Sequence, residues 1–154
     1  KLLLEKDGSE EHVNAQSEDG WTSLHLACEH AQKEVVEVLL DNIKIDINAK
    51  HKDGWTPLHL ACMYGQEEVF ELLIRKDGSK EHVNAKAKYG WTPLHSACQS
   101  GYEKILALLL ESGADLTAKA KDDDEDTRQH TPLDIAEKYK RPAVVKLIEK
   151  WVAE

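Results

Sequence analysis

The sequence predicts an all-α repeat solenoid, a fold class in which helix-turn-helix units stack in a row. The phrase Gly-Trp-Thr-x-Leu-His occurs three times, beginning at Gly20, Gly54 and Gly90, so the copies start 34 and 36 residues apart. A shortened copy, Thr-Pro-Leu-Asp, begins at Thr131. An apolar run of helical length follows every copy. Self-similarity at a period of roughly 20–50 residues is typical of stacked arrays.

The threonine of each phrase is predicted to begin the first helix of its unit. Its hydroxyl accepts a hydrogen bond from a free N–H of the first helical turn. The proline that follows it in three units is favoured there because the first helical residue needs no donor. Gly65 and Gly101 are expected to end this helix in two units. The four threonines are Thr22, Thr56, Thr92 and Thr131.

The second helix of a unit is clearest at 67–74, where apolar side chains leave almost no polar side. Such a helix must be covered on more than one side, and neighbouring units would cover it. The stretches between units, such as the segment 49–54, are polar and turn-forming. The long spacings imply longer loops between units, notably at 76–82.

The two ends of the chain differ. Residues 2–15 match residues 72–85, so the chain is expected to begin within the second helix of a unit. The three leucines at 2–4 would have only half a unit above them, and we expect the natural protein to continue upstream. The last helix carries a polar stripe and is predicted to face away from the stack as a capping unit, which arrays need for solubility. This stripe comprises Lys146, Glu149 and Lys150.

The composition limits the classes of function. Of the 154 residues, 32% are charged and 41% hydrophobic, which is typical of a soluble globular chain. The net charge of −9 argues against a nucleic-acid partner, since phosphate binding needs clustered Lys and Arg. No stretch approaches the roughly 20 apolar residues of a membrane helix, so no membrane partner is expected.

Each full unit contains one cysteine, at Cys28, Cys62 and Cys98. Stacked units would hold these thiols too far apart for a disulfide, and each follows an alanine in an apolar run. We expect buried, reduced thiols, which favour a cytoplasmic or nuclear location. In a protein of an intracellular bacterium, the location would be the host cytosol.

A histidine precedes each cysteine by three residues, at His25, His59 and His95, and this spacing allows zinc binding. The alternative is that each histidine forms hydrogen bonds between units while each cysteine fills a core position. Because a pair supplies only two ligands, we favour the second interpretation and expect no metal or other cofactor. The chain contains no Gly-rich phosphate loop, His-Glu-x-x-His or Gly-x-Ser-x-Gly motif, so no enzyme activity is expected.

The acidic run Asp122–Asp126 lies in a connection that is longer than the others. It contains no glycine, whereas calcium loops alternate carboxylates around one. We expect a solvated, flexible tip, with contact to a basic partner as the alternative.

Together these features resemble the ankyrin repeat family. The resemblance rests on the Thr-Pro-Leu-His-x-Ala phrase, the period, and the tails Ser-Gly-Ala-Asp-Leu-Thr-Ala and Asp-Ile-Asn-Ala, and it covers essentially the whole chain. It implies an L-shaped solenoid with projecting β-hairpin loops, here termed fingers. It divides the single domain 1–154 into a partial unit 1–19, repeats 20–53, 54–89 and 90–130, and a capping unit 131–154. One departure is Asp134, which replaces the motif histidine.

The resemblance also implies that the fingers and first helices form a concave face that binds a protein or peptide partner. In that layout the tryptophans form a column of neighbouring rings pointing toward this face, and aromatic residues dominate binding hot spots. If the column is a binding surface, we expect each ring to stay partly exposed and the three rings to form one continuous patch. Alternatively, each tryptophan packs flat against the next finger and stiffens the row. The residues expected to contact the partner are Trp21, Trp55, Trp91, Met63, Tyr64, Tyr89, Glu18, Asp19, Lys52, Lys88 and Tyr139.

Two other interpretations stay open. The chain is either an architectural segment of a longer solenoid without a dedicated partner, or an engineered ankyrin-type binder. Its irregular repeat lengths favour a natural sequence. The protein is expected to be a monomer or part of a larger chain.

Overall fold

A computed structural model describes residues 10–154, so the predictions for the three leucines at 2–4 and for the start of the partial unit lie outside the described residues. Ten α-helices and one 3-10 turn, Lys88–Gly90, follow one another within this range, and its single β-bridge pairs Ala120 with His130. The helices are α1 (Glu10–Val13), α2 (Ser23–Glu29), α3 (Lys33–Leu40), α4 (Pro57–Met63), α5 (Glu67–Lys76), α6 (Lys80–Val83), α7 (Pro93–Ser100), α8 (Glu103–Glu111), α9 (Pro132–Lys138) and α10 (Pro142–Ala153).

Eight of these helices form four units, α2–α3, α4–α5, α7–α8 and α9–α10. The two helices of a unit pack on each other, the first helices pack side by side in one row, and the second helices pack in another. One core position recurs in every first helix, and its side chain is at most 1% exposed in all four units. It is occupied by Ala27, Ala61, Ala97 and Ala136. The predicted repeat solenoid is confirmed.

All four predicted helix starts are confirmed. In each unit the threonine hydroxyl accepts a hydrogen bond from the backbone N–H three residues later, and the side chain at that later position accepts one from the threonine N–H. This reciprocal arrangement satisfies two backbone donors at once. The later position holds a histidine in three units and Asp134 in the last. A proline follows the threonine in α4, α7 and α9.

The first helices end on a residue in the left-handed backbone region. Gly65 and Gly101 occupy this position as predicted, with φ values of 67° and 83°. The other two units place Ala31 and Lys140 there, with φ values of 55° and 57°, although this region favours glycine. A glycine-based rule therefore misses these two helix ends.

The longer connection predicted at 76–82 is not an open loop, because part of it is helical. Helix α5 continues to Lys76, and the short helix α6 begins four residues later. The physical reason is a local cap: the Ser79 hydroxyl accepts a hydrogen bond of 3.2 Å from the N–H of His82. Helix α1 occupies the corresponding place two units earlier.

The two ends of the described stack differ in exposure. The predicted polar stripe of α10 is exposed, as expected for a cap. On the first full unit, Leu26 and Val35 are 48% and 43% exposed, whereas the equivalent Leu60 and Val69 are at most 4% exposed beneath that unit. No helix among the described residues is long and apolar enough to cross a membrane.

Candidate functional site

Successive units are joined by fingers, which span residues 17–21, 51–55, 87–91 and 120–130. Each finger is closed by a hydrogen bond from the backbone N–H of its first residue to the carbonyl of its last. Adjacent fingers are joined in turn by backbone bonds of 2.8, 2.8 and 3.0 Å. The donors are Lys52, Lys88 and Lys121, and the acceptors are Asp19, Asp53 and Tyr89. The fingers therefore form one continuous row.

The buried motif histidines fasten this row to the first helices. The Nε2–H of His25 donates to the carbonyl of Trp55 at 2.8 Å. His59 donates to the carbonyl of Trp91 at 2.9 Å, and His95 to that of His130 at 3.1 Å. Each histidine thus joins its own unit to the next finger.

These histidines are held in the neutral form. Their Nδ1 atoms face the N–H and hydroxyl of the capping threonine, so only Nε2 carries a proton. Burial lowers the pKa of His25 and His95, and lowers that of His59 to about 3. Protonation of Nδ1 would place a second N–H donor opposite the threonine N–H, and the hydrogen bond between them would be lost.

The same contacts decide between the two interpretations of the His-x-x-Cys pairs. Both ring nitrogens of each histidine are engaged in hydrogen bonds, and the three cysteines are free and buried. Burial raises the pKa of all three thiols, that of Cys98 to about 12. No group of three potential metal ligands occurs among residues 10–154. The geometry supports the structural interpretation of the pairs.

The first part of the tryptophan column is a stack of three rings. His51 lies between Trp21 and Trp55, with centroid distances of 5.0 and 6.5 Å and interplanar angles of 23° and 12°. Both tryptophans are half-buried, so the expectation of partial exposure is confirmed for them. The stacking partner of each is a histidine of the second finger and not another tryptophan.

The expectation of partial exposure is wrong for Trp91. Its side chain is only 6% exposed, and its indole N–H donates to the Ser96 hydroxyl at 2.9 Å. The reason lies in two positions that differ from the other units. Ser96 replaces the leucine found at Leu26 and Leu60, and Ala87 replaces the stacking His51. Both differences are visible in the sequence, and together they signal a separate environment for this ring.

The acidic run also differs from its prediction as a solvated, flexible tip. Asp122 accepts a hydrogen bond of 2.6 Å from Lys138 and another from the Tyr139 hydroxyl. Asp126 pairs with His130 at 2.6 Å and lies 3.8 Å from Lys138. The side chains of Asp122 and Asp126 are only 8% and 9% exposed. The ends of the run are therefore anchored to the last unit, and its exposed part is the segment 123–125.

Between the second, third and fourth fingers lies an open cleft of about 320 Å³. Four residues of the predicted partner surface line it. Asp122, Asp123 and Asp124 line its opposite side and are here termed the acidic wall. Tyr89 crosses from one side to the other, since its hydroxyl donates to Asp124. The lining comprises Asp53, Trp55, Lys88, Tyr89, Trp91, Gln99, Lys121, Asp122, Asp123 and Asp124.

The other predicted contact residues lie outside this cleft. Lys52 and Asp19 form an exposed ion pair of 3.3 Å between the first two fingers, where Glu18 and Trp21 also lie. Met63 and Tyr64 stand at the end of α4, and Tyr139 follows α9 behind the acidic wall. The anchoring of the acidic wall has a signal in the sequence. Lys138 and Tyr139 occupy the repeat positions that Met63 and Tyr64 occupy two units earlier, and they place a cation and a hydroxyl donor beside the acidic run.

Comparison with known families gives two matches. A family model described as ankyrin repeats (3 copies) matches residues 43–120, which is half of the chain. A second, described as ankyrin repeats (many copies), matches residues 9–61. No curated protein matches the sequence.

Proposed function

Since the chain belongs to the ankyrin repeat family, whose members generally act in protein–protein interaction, we propose that it binds a protein or peptide partner through the face built from its fingers and first helices. The centre of the proposed site is the cleft between the second and fourth fingers. No catalytic role, cofactor, nucleic acid or membrane belongs to the proposal. The reduced thiols support a cytoplasmic or nuclear location.

The observation that carries the proposal is the composition of the cleft. Three aromatic side chains, Trp55, Tyr89 and Trp91, line a concave site together with charged groups and an amide. Trp and Tyr contribute most to binding hot spots, especially where neighbouring contacts exclude water. The finger-to-finger bonds hold these side chains on a fixed frame, which lowers the ordering cost of association.

A display library of random peptides tests the proposal. Peptides selected on the wild-type chain are measured against Trp55→Ala, Tyr89→Ala and Trp151→Ala. The first two variants are expected to weaken binding by about 30-fold, the effect of losing a hot spot of about 2 kcal/mol. Trp151→Ala is the matched control, since this ring is 40% exposed on α10 and does not line the cleft.

The competing interpretation is an architectural segment of a longer solenoid. It predicts that no selected peptide depends on Trp55 or Tyr89, or that Trp151→Ala weakens binding equally. Either result contradicts the proposed site. Circular dichroism of each variant separates loss of contact from loss of fold.

A further inference from the structure

We propose that the cleft holds a basic side chain of the partner, an arginine or a lysine, between its aromatic rings and its acidic wall. This inference rests on the proposed function and adds the chemistry of the residue that anchors the partner.

The aromatic rings give the first argument. The cleft volume of about 320 Å³ is near the lower end of ligand pockets, roughly 300–1,000 Å³, and suits one long side chain. Inside it, the ammonium group of Lys88 lies 4.6 Å from the centroid of the Tyr89 ring, within the distance of a cation–π contact. The cleft thus already holds one cation of the chain itself on an aromatic face. The Trp55 ring is half-buried, and no cation of the described residues lies over its remaining exposed surface.

The paired charges of the cleft account for part of its acidic wall. Lys88 lies 3.8 Å from Asp124, and Lys138 lies 2.6 Å from Asp122. Lys138 approaches the wall from α9 and is not part of the cleft lining. These two carboxylates are therefore already compensated.

The charges that remain favour a positive ligand. Asp53, Asp123 and Lys121 form no ion pair within residues 10–154, although Asp123 also accepts hydrogen bonds from two backbone N–H groups. Two carboxylates against one ammonium leave the cleft with an excess of negative charge. A cation with an apolar stem matches this charge and the exposed ring, because Arg and Lys bury their stems along apolar surface while the head keeps polar contacts.

Hydrogen bonds and ion pairs hold the acidic wall in place, so a ligand can bind to it without rearrangement. Asp122 is held by Lys138 and Tyr139, and Asp126 by His130. His130, Lys138 and Tyr139 do not line the cleft, so a cation that enters it leaves these contacts in place. A preorganised site loses less free energy to ordering when it binds.

An NMR titration with Nα-acetyl-arginine N-methylamide tests the inference on the wild-type chain. We expect saturable shifts at the Trp55 and Tyr89 rings, weakened by added salt. The neutral citrulline analogue, which has nearly the same shape, is expected to produce none. Asp53→Asn is expected to weaken binding of the arginine probe by about two- to five-fold, the range of an exposed ion pair. Glu71→Gln removes the same charge from an exposed position of α5 outside the cleft and is expected to leave binding unchanged.

Equal shifts with citrulline, shifts confined to another surface, or unchanged binding in Asp53→Asn would each overturn the inference. Dispersed spectra of both variants show that they fold. If display-selected peptides depend on Trp55 but lack a basic anchor, this inference fails while the proposed function stands. If the arginine probe binds but no selected peptide depends on the cleft, the proposed function fails.

Discussion

The two halves of the tryptophan column have the same phrase but different environments. Trp21 and Trp55 are half-buried and stack on His51. Trp91 is buried and donates its indole N–H to Ser96. A repeated residue therefore stays partly exposed at one end of the row and is packed into the interior at the other. The difference shows that a motif position in a solenoid takes its role from side chains that vary outside the motif.

The neighbours explain why the two environments separate. His51 fills the space between the first two tryptophans, whereas Ala87 puts no ring between Trp55 and Trp91. The acidic wall then covers the third finger from the other side, through the contact of Tyr89 with Asp124. Both environments meet in the cleft, which is lined by the buried Trp91 and by the half-buried Trp55.

Among the changes that test this comparison, the loss of the Trp91 side chain is expected to have the largest effect on stability. Trp91→Ala is expected to lower the free energy of unfolding by about 3–5 kcal/mol, the range for removing a buried large aromatic side chain. Trp21→Ala is the matched control and is expected to lower it by less than half as much, because that ring is only partly buried. Urea unfolding followed by circular dichroism gives both values. Equal losses in the two variants would contradict the division of the column.

Acid is expected to weaken the link between the two halves. His59 bonds the unit of Trp55 to the carbonyl of Trp91, and burial lowers its pKa from the ordinary histidine value of 6.5 to about 3. Because the unfolded chain binds this proton more readily, stability is complete above about pH 6.5 and falls as the pH drops toward 3. For His59 alone the loss between pH 7 and pH 5 is about 2 kcal/mol.

His59→Gln tests this assignment. Glutamine at this position still accepts a hydrogen bond from the capping threonine but does not titrate. Urea unfolding at pH 7, 6 and 5 is expected to show a shallower pH dependence for the variant than for the wild type. The same slope in both proteins would assign the acid sensitivity to other groups.

Features set within one unit were predictable from sequence, and features set between distant residues were not. The threonine caps and the motif histidines follow from their spacing, because each cap is closed over three residues. The burial of Trp91 depends on Ser96, outside the repeated part of the phrase. The anchoring of Asp122 depends on Lys138, 16 residues away. Charge alone made that run look like a solvated tip, since its partners lie in the next helix.

Substitutions of Ser96 test why Trp91 is buried, and they are expected to change stability less than the loss of Trp91 does. Ser96→Ala removes the acceptor of the indole N–H without adding volume, and leaving a buried donor unsatisfied is expected to cost about 1–2 kcal/mol of unfolding free energy. Ser96→Leu restores the residue of the other units and is expected to shift Trp91 fluorescence to longer wavelength as the ring is forced outward. An unshifted emission in Ser96→Leu would show that the wall alone buries this ring.

The smallest expected effect concerns the other half of the column. His51→Ala removes the ring between Trp21 and Trp55, and stacked aromatic pairs contribute about 0.5–1.5 kcal/mol beyond the area they bury. Ala87→His is the matched converse, because it places an imidazole at the same position of the next finger. If stacking stiffens the first two fingers, His51→Ala speeds amide hydrogen exchange at Lys52, whose N–H bonds to the first finger, and leaves exchange at Lys121 unchanged. Equal acceleration at both amides would mean that the row responds as a single unit, and the distinction between its two halves would then concern exposure and not rigidity.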